Sequence, residues 1–377
     1  MGTRGKMFTA IDLFSGAGGL SEGFRMEDFK ILAANDYDKC AAATYKLNHL
    51  EVNFLDGPIQ NISGQDFLNA ARIKKGELDV LIGGPPCQAF SVYNHKRGFH
   101  DERSGLFREY IRIVKALRPK IIVMENVTGM TSVENGRAIT EIYKSLEMLG
   151  YNIEHRILKA EDYGVPQERR RLIIFGVCEK CSVPWPEPTY HKEGNERINV
   201  FNTVWDAISD LPMLKINEGF EKGDYINDPL SNLQKYLRKH SNNIFNHYAP
   251  NLKPINIHRM QFIPQGGSWR DIPYELLPDG MKKAKRSDHT KRYGRLKQNG
   301  LSSTILTRCD PHWGAYIHPT QDRTLTVREA ARLQTFPDRI KFIGSRVEQY
   351  RQVGNAVPPL LGKAIAKSVK KILNWGI

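Results

Sequence analysis

Short apolar runs alternate with helical periodicity through the first half of the chain, and that alternation constrains the fold more than any other feature. The runs cover residues 8–14, 31–34, a short segment ending near Leu55-Asp56, 79–82, 120–124 and 172–177. Each is short and apolar enough to read as a buried strand. Between them, helices are expected from about Leu20, then over 39–48, 67–73, 106–117 and 138–149. The clearest is 106–117, where Phe107, Ile111, Val114 and Leu117 recur at helical spacing. This pattern implies an α/β fold: a doubly wound, mostly parallel sheet with helices on both faces. Such sheets do their chemistry at the carboxyl ends of the strands.

The text changes after about Trp185. From Pro186 to His318 it is irregular, with Pro, Gly, Asn, Lys and Arg scattered among aromatics such as Trp269, Tyr293 and Trp313. The alternating pattern resumes with a helix over 326–334, and a last helix is expected over 361–373. The expected organisation is therefore a catalytic domain over 1–185, a smaller irregular domain over 186–323, and a segment over 324–377 returning to the first. At 377 residues the chain can bury a large core. Lys+Arg 55 against Asp+Glu 41 gives a net charge of +14, which favours a polyanionic partner, nucleic acid first. Five scattered cysteines make no disulfide framework and fit a reducing compartment. No apolar run is long enough to span a bilayer, and residues 1–8 lack the apolar core of a signal peptide. No membrane partner is expected, and a cytoplasmic location is.

Several motifs carry chemistry. Gly83-Gly84-Pro85-Pro86-Cys87-Gln88-Ala89-Phe90-Ser91 follows the run 79–82 directly. The prolines stiffen the turn and the glycines admit a ligand close to the backbone, so Cys87 reads as a held nucleophile. Glu125-Asn126-Val127 follows the next strand and places a carboxylate at the same edge. A thiolate beside a carboxylic acid suits attack on a ring carbon with protonation of a ring nitrogen. In Gln167-Glu168-Arg169-Arg170-Arg171, alternation puts Arg169 and Arg171 on one face, able to hold a phosphate, a carboxylate or a base carbonyl. Asp12-Leu13-Phe14-Ser15-Gly16-Ala17-Gly18-Gly19-Leu20 is a strand, a glycine turn and a helix start, but not the G-x-G-x-x-G dinucleotide fingerprint. Asp36 after the second strand could bind ribose hydroxyls, and Asp56 after the third could accept from an adenine amino group. Together these describe a nucleoside cofactor without a pyrophosphate. Cys178-x-x-Cys181 has no second pair or His set beside it, so no metal site is expected.

These motifs, with Arg328-Glu329-Ala330-Ala331-Arg332-Leu333-Gln334 and Gly354-Asn355-Ala356-Val357-Pro358-Pro359, stand in the order of one family. The chain resembles the cytosine-5 DNA methyltransferases over nearly its whole length outside 186–317. The resemblance implies a Rossmann-like class I fold, S-adenosylmethionine as cofactor, and a flipped-out cytosine in double-stranded DNA as substrate. It makes Cys87 the nucleophile at C6, with Glu125 at N3, Arg169 on the cytosine O2 and Arg171 bracing the loop or Glu125. Phe14 would stack on the adenine, with Leu106 nearby. Asp36 would hold the ribose and Asp56 the adenine amine. Gly16, Gly18 and Asn355 would line the methionine end, with Ser15, Gly19, Tyr37, Pro86 and Ala356 completing the site. Family members usually carry Glu where this chain has Asp36, one methylene shorter.

The middle region corresponds to the family's target-recognition domain. Base reading falls there to Arg292, Arg295, Arg308, His312 and Trp313, because Arg reads guanine edges well. Gln88, Ser91, Lys96 and Arg97 lie on the loop expected to close over DNA. The implied protein is a monomeric bacterial or phage enzyme, paired with a restriction endonuclease or solitary. Two further readings stay open. One is the tRNA-modifying branch of the family, against which the long middle region argues. The other is an inert DNA-binding relative, against which Cys87, Glu125 and Arg169 argue.

Overall fold

The computed structural model describes residues 7–86, 105–132, 136–179 and 181–376. They belong to two units. The first comprises Met1–Tyr163, Arg170–Pro188 and Val357–Ile377; the second comprises Gly164–Arg169 and Thr189–Ala356.

In the first unit, strands and helices alternate as β1 (Thr9–Leu13), α1 (Gly19–Arg25), β2 (Lys30–Asp36), α2 (Lys39–Asn48), β3 (Asn53–Asp56), α3 (Gly64–Ala71), β4 (Val80–Gly83), α4 (Leu106–Leu117), β5 (Ile121–Asn126), α5 (Arg137–Glu147), β6 (Asn152–Lys159) and β7 (Arg170–Val177). The strands form one sheet in the order β3-β2-β1-β4-β5-β7-β6. Neighbours from β3 to β5 pair in parallel, whereas β7 runs antiparallel to both β5 and β6. The fold class is the expected one, with an added strand. β6 escaped the sequence reading because five of its eight residues are exposed, so it lacks the apolar signature of an inner strand. Charged edge strands of this kind resist pairing with other chains.

Strand order reverses between β1 and β4, which makes their carboxyl ends a switch point where a crevice opens. The core beneath is built by α3, α4 and α5 against the sheet. On α4, Tyr110, Ile113, Val114 and Leu117 are buried at helical spacing. The Tyr110 hydroxyl lies 2.8 Å from the Leu81 carbonyl and 3.1 Å from that of Val123, bridging β4 and β5 below their active ends.

The second unit contains β8 (Tyr190–His191), β9 (Asn199–Val200), α6 (Val204–Ile208), β10 (Gly219–Gly223), α7 (Asn232–Leu237), β11 (Ile244–Tyr248), α8 (Pro254–Met260), α9 (Asp279–Lys282), α10 (Val327–Leu333) and α11 (Arg346–Asn355). β8 pairs with β9 in parallel and β10 with β11 antiparallel. Its irregular text is held together by charge. All seven residues of α10 are buried, including Arg328, Glu329 and Arg332. Buried ions persist only when paired. Arg332 donates to Asp338 at 2.9 and 2.6 Å and also to Asp210. Arg323 makes a bidentate pair with Glu329 at 2.8 and 2.7 Å, and Arg328 donates to the Phe245 carbonyl at 2.8 Å.

These bonds change the expected domain division. Residues 324–356 do not return to the first unit, because α10 packs on α6 and β11 and its ion pairs lie within the second. Only α12 (Pro359–Asn374) joins the first unit, where it packs along α1. There a Cβ on Gly23 would fall 2.5 Å from the backbone of Gly362, so the two helices meet backbone to backbone.

Asp338 also accepts from the Tyr225 hydroxyl at 2.7 Å and lies 3.6 Å from Arg328. Asp338→Asn keeps the shape and removes the charge that answers two buried guanidiniums. Denaturant unfolding is expected to show a loss of about 3–5 kcal/mol in the stability of this unit.

Candidate active site

The glycine turn after β1 is shaped by two left-handed glycines, of which Gly18 leaves no room for a side chain. Gly18 has φ 88° and caps α1; a Cβ there would meet His49 Nε2 at 2.5 Å. Gly16 has φ 56°, and its N–H donates to Asp36 Oδ2 at 2.8 Å. Phe14 shares this left-handed backbone, φ 56°, without being glycine, and packs its ring partly against the core. Such a conformation costs about 1 kcal/mol in a residue with a Cβ and clusters at functional sites. Ser15 donates its N–H to the Asn35 carbonyl at 3.0 Å, tying the turn to β2. Gly19 is the first residue of α1.

Asp36 ends β2, accepts from Gly16 N and Asp38 N, and is 8% exposed. Burial pushes its carboxyl up. Tyr37 beside it is exposed. Asp56 ends β3 opposite Asp36 in register, but is exposed and paired with Lys46 at 2.9 Å. Leu106 opens α4 and packs on the core. Asn355 and Ala356 close the second unit, and the Ala356 carbonyl accepts from Arg169. The donors and faces of the first unit suit a nucleoside: an aromatic ring, a buried carboxylate for a diol, and open space beside Gly16, where a Cβ would meet nothing within 4 Å.

The chemical edge lies two strands away. β5 delivers Glu125, and because β7 runs antiparallel, its first residues stand beside the last residues of β5. Arg171 Nε therefore sits 2.7 Å from Glu125 Oε1, both side chains largely buried. Burial pulls the Arg171 guanidinium down, and the Glu125 charge opposes that. A Cβ on Gly84 would fall 2.9 Å from Glu125 Oε2, so the glycine keeps room for the carboxylate. Asn126 Nδ2 donates to the Pro85 carbonyl at 3.2 Å and fixes the proline turn to β5. Pro86 is half-buried at its end. Cys87, Gln88, Ser91, Lys96 and Arg97 lie outside the described residues.

Three sequence assignments change. Arg169 does not face a base: it is 1% exposed, and its guanidinium donates to the carbonyls of Ile305, Gly354 and Ala356 at 3.2, 3.0 and 2.9 Å. Arg295 is no base reader either. It is buried, donating to the carbonyls of Met260, Ile263, His318 and Gln321 and to Asp322. His312 has both ring nitrogens engaged, by Asp310 at 2.7 Å and Tyr293 at 2.6 Å. Arg308 and Trp313 are exposed, and Arg292 lies 6.0 Å from the Trp313 ring centre. Sequence reasoning missed Asp12, Ser21 and Tyr45, a buried chain under the glycine turn. Ser21 Oγ donates to Asp12 at 2.6 Å and lies 2.8 Å from Tyr45 Oη. The one available signal was an Asp inside an otherwise apolar strand.

A family model described as C-5 cytosine-specific DNA methylase matches residues 8–371. The Type II methyltransferase M1.HphI of Haemophilus parahaemolyticus is 36% identical over 366 residues, covering 97% of this chain and 87% of that protein. M.AgeI of Thalassovita gelatinovora, another Type II methyltransferase, is 33% identical over 424 residues, covering 96% and 98%. Among solved structures, one described as a DNA modification methyltransferase encoded within an Escherichia coli prophage superposes with a TM-score of 0.77 at 26% identity, covering 97% of this chain and 99% of that one. DNMT2 of Spodoptera frugiperda gives a TM-score of 0.60 at 17% identity, a likeness of fold alone, covering 96% and 99%.

Burial pushes the Asp12 carboxyl up from 3.8 to about 7, against the Ser21 hydrogen bond and with Asp36 adding to the rise. A raised carboxyl binds more protons folded than unfolded, so its contribution is present in acid and lost as pH climbs through 7. Relative to wild type, Asp12→Asn should therefore gain stability between pH 4 and 7, by at most about 1.4 kcal/mol per pH unit, and no further above. Thermal unfolding of both proteins across pH 4–8 measures this.

Proposed function

The chain belongs to the C-5 cytosine-specific DNA methylase family, and from that premise we propose that it methylates C5 of a flipped-out cytosine in double-stranded DNA. S-adenosylmethionine supplies the methyl group when bound. Phe14, the Gly16–Gly18 turn and Asp36 would hold it, with Asp56 at the adenine. The cytosine must leave the duplex, since its C5 and C6 are enclosed by the stack.

The observation that carries this reading is the Glu125–Arg171 pair beside Gly84, next to the turn that leads into Cys87. Cys87 attacks C6 as thiolate, and the C5–C6 electrons move toward C5 while Glu125 shares a proton with N3. After methylation a base removes the C5 proton, the double bond re-forms, and the Cys87 sulfur leaves C6. Arg171 takes the base-facing role first given to Arg169. Its Nε holds Glu125 and Nη1 donates to the Arg170 carbonyl, while Nη2 has no hydrogen bond among the described residues. That donor suits O2, the carbonyl beside N3. The Type II names of the relatives support a modification enzyme serving a restriction endonuclease. Lys96 and Arg97 would contact phosphates, and Arg292, Arg308 and Trp313 would meet the bases.

Bisulfite sequencing of DNA from cells expressing the chain tests activity and target together; unmodified cytosines throughout would overturn the reading. Cys87→Ser should abolish methyl transfer, because an alcohol is far less nucleophilic at neutral pH. A duplex with 5-fluorocytosine at the target should trap wild type covalently and leave Cys87→Ser free. The two arginines should separate by readout. Arg171→Gln should lower kcat by about 10²–10⁴ at temperatures well below its Tm, a loss far beyond the stability lost by leaving Glu125 unpaired. Arg169→Gln should lower Tm, since it leaves three carbonyls without their donor, and should change kcat little at temperatures where the protein stays folded.

A further inference from the structure

Asp12 and Asp36 stand on adjacent parallel strands at the switch point, and both are buried, at 1% and 8% exposure. Among the described residues neither has an ion-pair partner. Glu125, by contrast, is answered by Arg171, and Asp79 at the opposite end of the sheet by Lys120 at 3.2 Å. The groups around Asp12 offer no counter-charge. Asp36 faces it from β2, Ser21 and Tyr45 from α1 and α2, and Tyr110 from α4. The His49 ring lies tilted against that of Tyr45, centroids 4.5 Å apart, and Arg25 is engaged by His49 at 2.6 Å, Glu51 at 3.0 Å and Glu22 at 3.9 Å. Two carboxylates in one buried site cannot both ionise cheaply, and buried charge calls for a partner. The turn they flank, through Asp36 and Gly16, is the one assigned to the cofactor.

We infer that Asp12 and Asp36 form a negative seat whose counter-charge is the positive charge of the bound cofactor, so that Asp12 gives up its proton as the cofactor binds. This rests on the methyl-transfer reading above. The seat discriminates between substrate and product: S-adenosylmethionine carries a sulfonium, whereas S-adenosylhomocysteine is a neutral thioether at that atom. By linkage, a cation that favours the ionised pair binds more tightly as pH rises, and its binding releases protons. Asp12 is thus a positioning residue acting through charge, and its carboxyl, held near 7, titrates in the range where this shows.

Isothermal titration of the full chain with each compound, from pH 5.5 to 7.5 in buffers of different ionisation enthalpy, tests this without turnover. In wild type, S-adenosylmethionine should release protons on binding, and its affinity relative to S-adenosylhomocysteine should rise about three- to tenfold over that range, the effect of lowering a carboxyl by up to about one unit. In Asp12→Asn both effects should vanish. Should that variant fail to fold, Ser21→Ala serves instead. It removes the hydrogen bond that steadies the ionised carboxylate and should move the midpoint of the rise to higher pH. A wild-type affinity ratio that stays flat, with no proton release, overturns the inference while leaving the methyl-transfer reading intact. Failure to bind either compound at any pH overturns that reading and the seat with it.

Discussion

The ion pair between Glu125 and Arg171 depends on a reversal of strand direction, and much of the first unit follows from it. In an all-parallel sheet the residues opening a strand lie at the end remote from the chemistry. Because β7 runs against β5, its opening residues arrive at the carboxyl edge instead, and a guanidinium from residue 171 meets a carboxylate from residue 125 at 2.7 Å. The same edge carries the Pro85 turn, tied to β5 through Asn126, and the glycine turn tied to β2. Tyr110 bridges β4 and β5 from below, so the strand that leads into the Pro85 turn and the strand that ends at Glu125 are held in fixed relation. Direction, register and one buried tyrosine fix the geometry of this edge.

The second unit solves a different problem. It has little regular sheet, and one of its apolar clusters, around Trp269, Ile272, Tyr293 and Ile317, is small. Its order comes from guanidiniums whose donors are spent on carbonyls and carboxylates: Arg295 in one place, Arg323 and Arg332 in another, Arg169 in a third. Arginine suits this use because its fork can satisfy several acceptors in fixed directions. A basic composition that reads as a polyanion signal is therefore partly internal scaffolding.

That distinction marks where the sequence was legible. The ranges of α2 and α4 are readable because Asp38 caps the first and the apolar spacing of the second coincides with the face it buries. Asp36 and Glu125 are readable because they lie at the carboxyl ends of β2 and β5, and Gly16 and Gly18 because they lie in the turn that follows β1, at the same edge. Arg169 and Arg171 are not distinguishable by type or spacing. Residues two apart share a face only while the strand lasts, and β7 begins at Arg170. Arg169 precedes it, in the second unit, and turns to the carbonyls of Ile305, Gly354 and Ala356. Arg295 and His312 were misplaced for a related reason: local sequence reports charge but not the distant carbonyls that consume it. β6 is invisible to apolar periodicity because it lies at the sheet's edge.

Phe14 shows what the fold gives up for its site. A left-handed φ of 56° is comfortable for glycine and uncomfortable for phenylalanine, and the preceding strand would accept glycine there. The chain instead keeps an aromatic ring at the mouth of the turn, in a conformation that stores strain. The ring also packs partly against the core, so glycine at this position would relax the backbone and forfeit that burial together. The strain is thus carried by the side chain that offsets it, and the turn can hold an aromatic face in a glycine-like conformation because the core holds the ring.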